Sequence, residues 1–404
     1  MRSIKMVTRN EFTKYFLPVY NPGDFIPTRG KGSFIWDQKN HKYLDFASGI
    51  AVSSLGHCHP ELVRILNSQS KKLWHLSNYL TTEPAIKLAK ILCQKTFAEK
   101  VFLSNSGAEA VEAAVKTARK FAYSEFGKGK SNIVAFDDAF HGRTLLTIAL
   151  NGSKRMTEGF EPLPKGITQH PYNQIEGLEK CINDKTAAVI LELVQGEAGI
   201  IPAKQNFVNA IKKLCKKHKA LIIIDEVQSG VGRTGYLFAH EKYKIQPDIV
   251  CSAKALGNGM PIGAMLTTER VGKYMQPGAH GSTYGGNPLA CAVAHEVINK
   301  ISKKSVLNGV QKKEQRFLKG LTAINKELNC FDEIRSAGLW IGCKLKVQAK
   351  LNLDNLMKEA YANRLMILKA NNNTIRIAPS LIIEDKVIDE GLARLKKSIL
   401  KLLD

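Results

Sequence analysis

A chain of 404 residues exceeds what one hydrophobic core usually serves, so two packed domains are expected. Its 44% hydrophobic and 24% charged residues suit a soluble globular protein able to bury a large core. The 59 Lys+Arg against 36 Asp+Glu give a net charge of +23 and raise a nucleic-acid role, but the pattern argues against one. The basic residues are mostly lysines in scattered pairs, such as Lys212-Lys213 and Lys396-Lys397, beside apolar positions as on solvated helix faces. No basic tail and no run of stacking aromatics accompanies them. Attraction of anionic substrates is a milder consequence of the same charge.

The eight cysteines are far apart and form no C-x-x-C, so free thiols in a reducing compartment are expected, with no disulfide framework and no metal site. Residues 1–6 carry no apolar core of signal-peptide length, and no apolar run approaches the ~18 residues of a membrane span. A cytoplasmic location is the expectation.

Along the chain, the first 50 residues read as an irregular arm followed by short strands, with a hairpin turning at Gln38-Lys39-Asn40-His41. From about residue 60, amphipathic helices alternate with short apolar runs at 100–103, 132–136, 187–192, 220–225 and 248–251. Such runs between helices predict buried, mostly parallel strands. Beyond about residue 300 come Lys-rich helices, strands at 339–343 and 374–377, and a closing helix. The expected division is an N-terminal arm with part of a small domain (1–59), a large α/β domain (60–299) and a C-terminal α+β part (300–404). Gly230-Val231-Gly232-Arg233-Thr234-Gly235 matches a dinucleotide fingerprint, but the preceding strand ends near Asp225 and no helix start follows. An ordinary Gly-rich loop is the better reading.

Three segments carry chemistry. Asp225 ends an apolar run, which places a carboxylate at the crevice outside a strand's carboxyl end. Alone it is as readily a turn cap; paired with a cationic ring nitrogen it would be stabilised. Lys254 stands among small residues in Cys251-Ser252-Ala253-Lys254-Ala255-Leu256-Gly257, a setting that lets a ring approach and lowers an amine's pKa. Ser104-Asn105-Ser106-Gly107-Ala108-Glu109 follows a strand and opens a helix over 110–119, which offers backbone N–H groups and a favourable dipole to a phosphate. An amine for an aldehyde, a carboxylate for a pyridine nitrogen and a phosphate cradle are the three needs of pyridoxal 5′-phosphate (PLP).

Together these segments resemble the class III (ornithine-type) aminotransferases of PLP fold type I along nearly the whole chain. The signature-like stretch is Ile224-Asp225-Glu226-Val227-Gln228, then Arg233-Thr234-Gly235, then Ser252-Ala253-Lys254-Ala255-Leu256-Gly257. Gly56-His57-Cys58-His59-Pro60, Phe140-His141-Gly142-Arg143, Gln195-Gly196-Glu197 and the run from His280 to Pro288 match as well. The last run, with Leu76-Ser77-Asn78 and Phe46-Ala47-Ser48-Gly49-Ile50-Ala51-Val52, looks most similar to the bacterial acetylornithine aminotransferases.

The resemblance implies that Lys254 carries the cofactor and moves the proton. It implies that Gly107 and Ala108 hold the phosphate, with Thr283 reaching it from a partner subunit of a homodimer with shared sites. Phe140 would stack on the ring, Asp225 pair its nitrogen, Val227 pack beneath it and Gln228 contact its hydroxyl. For substrates it implies Arg143 on a carboxylate, Ser282 close by, Tyr20 at the far end and Glu197 paired with Arg376 as a gate. The implied reaction moves the terminal amine of N2-acetylornithine to 2-oxoglutarate; N-succinyl-diaminopimelate, succinylornithine and ornithine are alternative donors. Val111, Leu193 and Ala198 depart from the family pattern, outside the residues given roles. From a different class, a non-catalytic basic protein would show salt-sensitive retention on nucleic acid and no bound cofactor.

Overall fold

The computed structural model describes residues 7–347 and 351–403; residues 1–6, read above for a leader, lie outside them. The central element is a seven-stranded sheet. Its order runs Lys100–Ser104, Gly263–Thr267, Ile249–Ser252, Leu221–Asp225, Thr186–Leu191, Asn132–Phe136, Ile167–His170. Gly263–Thr267 runs antiparallel to both its neighbours, and the remaining pairs are parallel. The sequence reading missed this reversed strand, which sits next to a loop-rich segment.

The apolar runs are continuous because both faces of the sheet are covered. Leu221 and Ile223 point to one side, where the helix Gly107–Phe126 packs; Ile222 and Ile224 point to the other, toward Phe207 and Ile211 of the helix Gln205–His218. Gly107–Phe126 buries Ala110, Ala113, Ala114 and Ala118 against the strands. Small side chains bring its axis, and hence its N-terminus, close to the sheet edge where the site lies. The helix starts at Gly107 and runs to Phe126, longer at both ends than the sequence indicated.

The hairpin Phe34–Asp37/Lys42–Asp45 forms as expected, with Pro27–Lys31 on its outer side. Leu365–Met366, from far along the chain, adds parallel to Lys42–Asp45. A separate antiparallel sheet is built from Phe331–Ser336, Ile341–Leu345, Thr374–Ile377 and Leu368–Ala370. The arm is less irregular than expected. Arg9–Tyr15 is helical, started by a capping box in which the Glu11 carboxylate accepts the Thr8 N–H at 2.6 Å. The Gly230–Gly235 run is turns with no following α-helix.

Arg233, in that loop, fastens distant segments together. It is fully buried, and its guanidinium donates to the carbonyls of Leu339 (2.7 Å) and Pro379 (2.6 Å) and to the Ser54 hydroxyl (3.2 Å). Arg233→Leu strands these acceptors without donors, each at about 1–3 kcal/mol. A loss of about 3 kcal/mol or more is expected from the urea midpoint; an unchanged midpoint would show that the acceptors find other donors.

Candidate active site

A cavity of about 420 Å³ opens at the carboxyl ends of the central strands, where open α/β sheets bind ligands. Asp225, the last residue of Leu221–Asp225, lines it and is 4% exposed. Its Oδ2 lies 2.7 Å from His141 Nδ1, and its Oδ1 accepts the Val227 N–H at 2.9 Å. The carboxylate is thus held from two sides. Burial opposes charge on His141, yet the hydrogen bond to Asp225 and the negative charges of Asp225 and Glu192 together more than offset it and raise the imidazole pKa. His141 Nε2 is buried without a hydrogen-bond partner among the described residues.

Lys254 follows the next strand, Ile249–Ser252, and takes a left-handed backbone conformation (φ 45°) that turns its side chain into the cavity it lines. Burial pushes its amine below the usual lysine value, opposed by Asp225; the Arg376 cation pushes the same way as burial, while Glu197 and Glu192 oppose. An amine so placed gives up its proton more readily than one on the surface.

Opposite, Ser106 caps Gly107–Phe126, its hydroxyl accepting the Glu109 N–H at 3.2 Å. The Glu109 carboxylate in turn accepts the Asn105 N–H at 2.9 Å. Gly107 and Ala108 line the cavity in the first turn of this helix, where backbone N–H groups have no partner within the helix. Gly107 has no substitute here, because a Cβ would lie 2.8 Å from Val227 Cγ1.

The cavity gathers Gly107, Ala108, Phe140, Arg143, Asp225, Val227, Gln228 and Lys254, all singled out from the sequence. Arg376 and Glu197 lie outside this lining but within electrostatic reach of Lys254, and they pair at 2.5 Å. Arg376 sits on Thr374–Ile377 and is 3% exposed, while the Glu197 loop runs against Trp340 so closely that a Cβ on Gly196 would lie 2.2 Å from the indole. Ser282 stands behind the wall, its hydroxyl accepting from Asn105 Nδ2 at 3.1 Å. Thr283 is exposed and Tyr20 is 73% exposed; neither lines the cavity of its own chain.

Several lining residues escaped the sequence reading. His141 was quoted within a motif but given no role, although its spacing after Phe140 carries it under Asp225. Val52 arrives from a left-handed turn at Ser48–Ala51, whose entry is fixed by Asp45 accepting the Ala47 and Ser48 N–H groups. Glu192 was visible only as the end of an apolar run; burial pushes its carboxyl up to about 7.

The family model for Aminotransferase class-III matches residues 18–399. The chain belongs to the class-III aminotransferases. It is 49% identical over 397 residues to the succinylornithine transaminase/acetylornithine aminotransferase of Pseudomonas aeruginosa, covering 98% of each chain. It is also 49% identical over 398 residues to the acetylornithine/succinyldiaminopimelate aminotransferase of Buchnera aphidicola, again covering 98% of each. Among solved structures, the ornithine aminotransferase of Toxoplasma gondii superposes with a TM-score of 0.93 at 28% identity, covering 97% of this chain and 94% of that one.

As a class-III aminotransferase the protein is an enzyme whose cofactor is PLP. The residues fit that group. Gln228 Nε2, a donor, and His141 Nε2 are buried at the cavity without hydrogen-bond partners among the described residues, and Lys254, the one lysine of the wall, lies within electrostatic reach of Asp225, the aspartate that ends a central strand. No helix among the described residues is long and apolar enough to cross a membrane.

Proposed function

We propose that this aminotransferase moves the terminal amino group of N2-acetylornithine to 2-oxoglutarate, giving N-acetylglutamate 5-semialdehyde and glutamate. The observation that carries the chemistry is Lys254 and Asp225 in one cavity beside the N-terminus of Gly107–Phe126. The relatives at 49% identity are named for acylated donors, which supports an N-acylated substrate over free ornithine. We assign 60–299 to the large domain, 1–59 to the N-terminal arm and part of the small domain, and 300–404 to the rest of the small domain, in line with Leu365–Met366 pairing to Lys42–Asp45.

In this reading Gly107 and Ala108 hold the phosphate, Phe140 and Val227 enclose the ring, Gln228 meets its hydroxyl and Asp225 its nitrogen. PLP supplies an electron-accepting ring that stabilises negative charge at the carbon bearing the amine. Lys254 would hold the cofactor and, once free, would carry the proton from that carbon to the cofactor in the donor half-reaction and from the cofactor to the acceptor's carbon in the other. Burial holds its amine below the usual lysine value, so it is a readier base than a surface lysine. Arg143 grips a substrate carboxylate. Tyr20 closes the far end, and Ser282 lies near the substrate. The exposed apolar side chains Trp74, Tyr79, Leu80 and Tyr284 suit burial against a second copy, in a cytoplasmic homodimer whose Thr283 reaches the partner's phosphate site.

Glu197 and Arg376 serve as the gate between the two substrates. The pair stays closed over an ω-amine donor; 2-oxoglutarate opens it, with Arg376 taking the α-carboxylate and Arg143 the distal one. Glu197→Ala leaves Arg376 open, so the ratio of glutamate to acetylornithine turnover is expected to rise about tenfold, the scale of one charge-assisted hydrogen bond. An unmoved ratio would make the pair a fixed ion pair.

The reading is tested by the absorbance of the purified protein with N2-acetylornithine and no acceptor. A yellow band should bleach and return with 2-oxoglutarate. A band that answers only to N-succinyl-diaminopimelate, succinylornithine or ornithine would change the donor and keep the class.

A further inference from the structure

Glu192 has no part in the chemistry described above. It follows Thr186–Leu191, is 7% exposed and lines the cavity with Lys254 and Asp225. No lysine, arginine or histidine forms an ion pair with it among the described residues. A carboxyl buried on these terms is costly unless its hydrogen bonds are used. They are used in a specific way. Oε2 accepts the Phe140 N–H at 2.9 Å, while the Glu192 carbonyl accepts the Tyr172 hydroxyl at 2.8 Å. Tyr172 packs edge-on against Phe136 and Phe207 in the core, so the Glu192 backbone is anchored.

Phe140 begins a short segment that ends at Arg143, whose guanidinium carbon lies 5.4 Å from the Phe140 ring centre. Besides the His141 side chain on Asp225, the backbone of the segment has two external fixings. Asn151 accepts the His141 N–H at 2.7 Å and donates to the Gly142 carbonyl at 3.2 Å; Glu192 holds Phe140. We propose that Glu192 is a positioning residue: by holding the Phe140 N–H it sets, through one segment, both the ring that lies on the cofactor and the arginine that grips the substrate carboxylate. This rests on the PLP and Arg143 assignments made above. Burial pushes the Glu192 carboxyl up to about 7; Asp225 adds to this, while His141, the Phe140 N–H and Lys254 oppose it. Glutamine therefore imitates its neutral form and can still accept the Phe140 N–H.

The test measures the dissociation constant for PLP from the visible absorbance of the full-length protein on dilution, and KM for N2-acetylornithine and 2-oxoglutarate. Glu192→Ala is expected to weaken PLP binding about tenfold and raise both KM values about tenfold, with a smaller fall in kcat. Glu192→Gln should stay within about threefold of the parent in all of these. In the double variant Glu192→Ala/Phe140→Ala, PLP loss should not exceed that of Phe140→Ala alone, because there is no ring left to place. If the alanine variant does not fold, Glu192→Asp takes its place; its shorter arm misses the N–H, and the same loss is expected. Parent-like PLP affinity in Glu192→Ala or Glu192→Asp, no rescue by glutamine, or additive losses in the double variant would overturn the proposal. A parent protein that takes up no PLP would instead overturn the cofactor assignments beneath it.

Discussion

Lys254→Ala is expected to cut steady-state turnover by about 10⁴-fold or more while the far-UV circular dichroism stays that of the parent. General acid–base catalysis by one positioned side chain is worth about 10²–10⁴, and in the function proposed above the same amine also holds the cofactor. Nothing nearby replaces it. The other titratable lining groups are the carboxylates of Glu192 and Asp225, each engaged by a backbone N–H, an imidazole tied to Asp225 and an arginine that does not give up its proton. The fold does not need the Lys254 side chain, since Ala253 and Ala255 on either side are buried and the turn around it is closed by backbone hydrogen bonds. Lys254→Arg should be as inactive as alanine, because charge without a transferable proton is of no use in this step. Adding a small alkylamine to the alanine variant should restore part of the rate, with a pH dependence set by that amine. Activity within about tenfold of the parent would place the base on another residue.

The central strands could be read because burial on both faces leaves continuous apolar runs, and Asp225 could be read because a carboxylate ending such a run is conspicuous. Lys254 stood out through its small neighbours in a chain otherwise rich in surface lysine. The reversed strand Gly263–Thr267 could not be read the same way. Its apolar content is short, and its direction is fixed by pairing with Lys100–Ser104, more than 150 positions away. His141 and Glu192 belong to a second kind of failure. Each is an ordinary residue locally; its meaning comes from a contact with Asp225 or Phe140 that only the packed sheet creates. The Glu197–Arg376 pair spans 179 positions and came from resemblance alone, since no local pattern predicts it. The helix Arg9–Tyr15 was a plain oversight, because Thr8 and Glu11 carry a capping-box spacing.

Asp225 separates charge from geometry most cleanly. Asp225→Ala removes the acceptor for the buried Val227 N–H and the partner of His141 Nδ1, so it should lose about 2–4 kcal/mol of stability as well as activity. Asp225→Asn is the sharper probe. Its amide oxygen can still accept from Val227, and its NH₂ can donate to a neutral His141, so the melting temperature should change little. The imidazole then loses the carboxylate that raised its pKa, and burial favours its neutral form. What would disappear, in the function proposed above, is the negative charge assigned to the ring nitrogen, and with it the electron demand that makes the proton on the amine-bearing carbon acidic. Turnover is expected to fall by about 10³-fold, the scale on which one preorganised electrostatic partner acts in a dry site. Both half-reactions should fall together, since each depends on negative charge at an amine-bearing carbon, the donor's carbon–hydrogen bond being broken in one and the acceptor's made in the other. KM for either substrate should move far less than kcat, because Arg143 and Arg376 are untouched. A variant that folds like the parent yet turns over within about tenfold of it would show that Asp225 orients His141 and does not act on the ring.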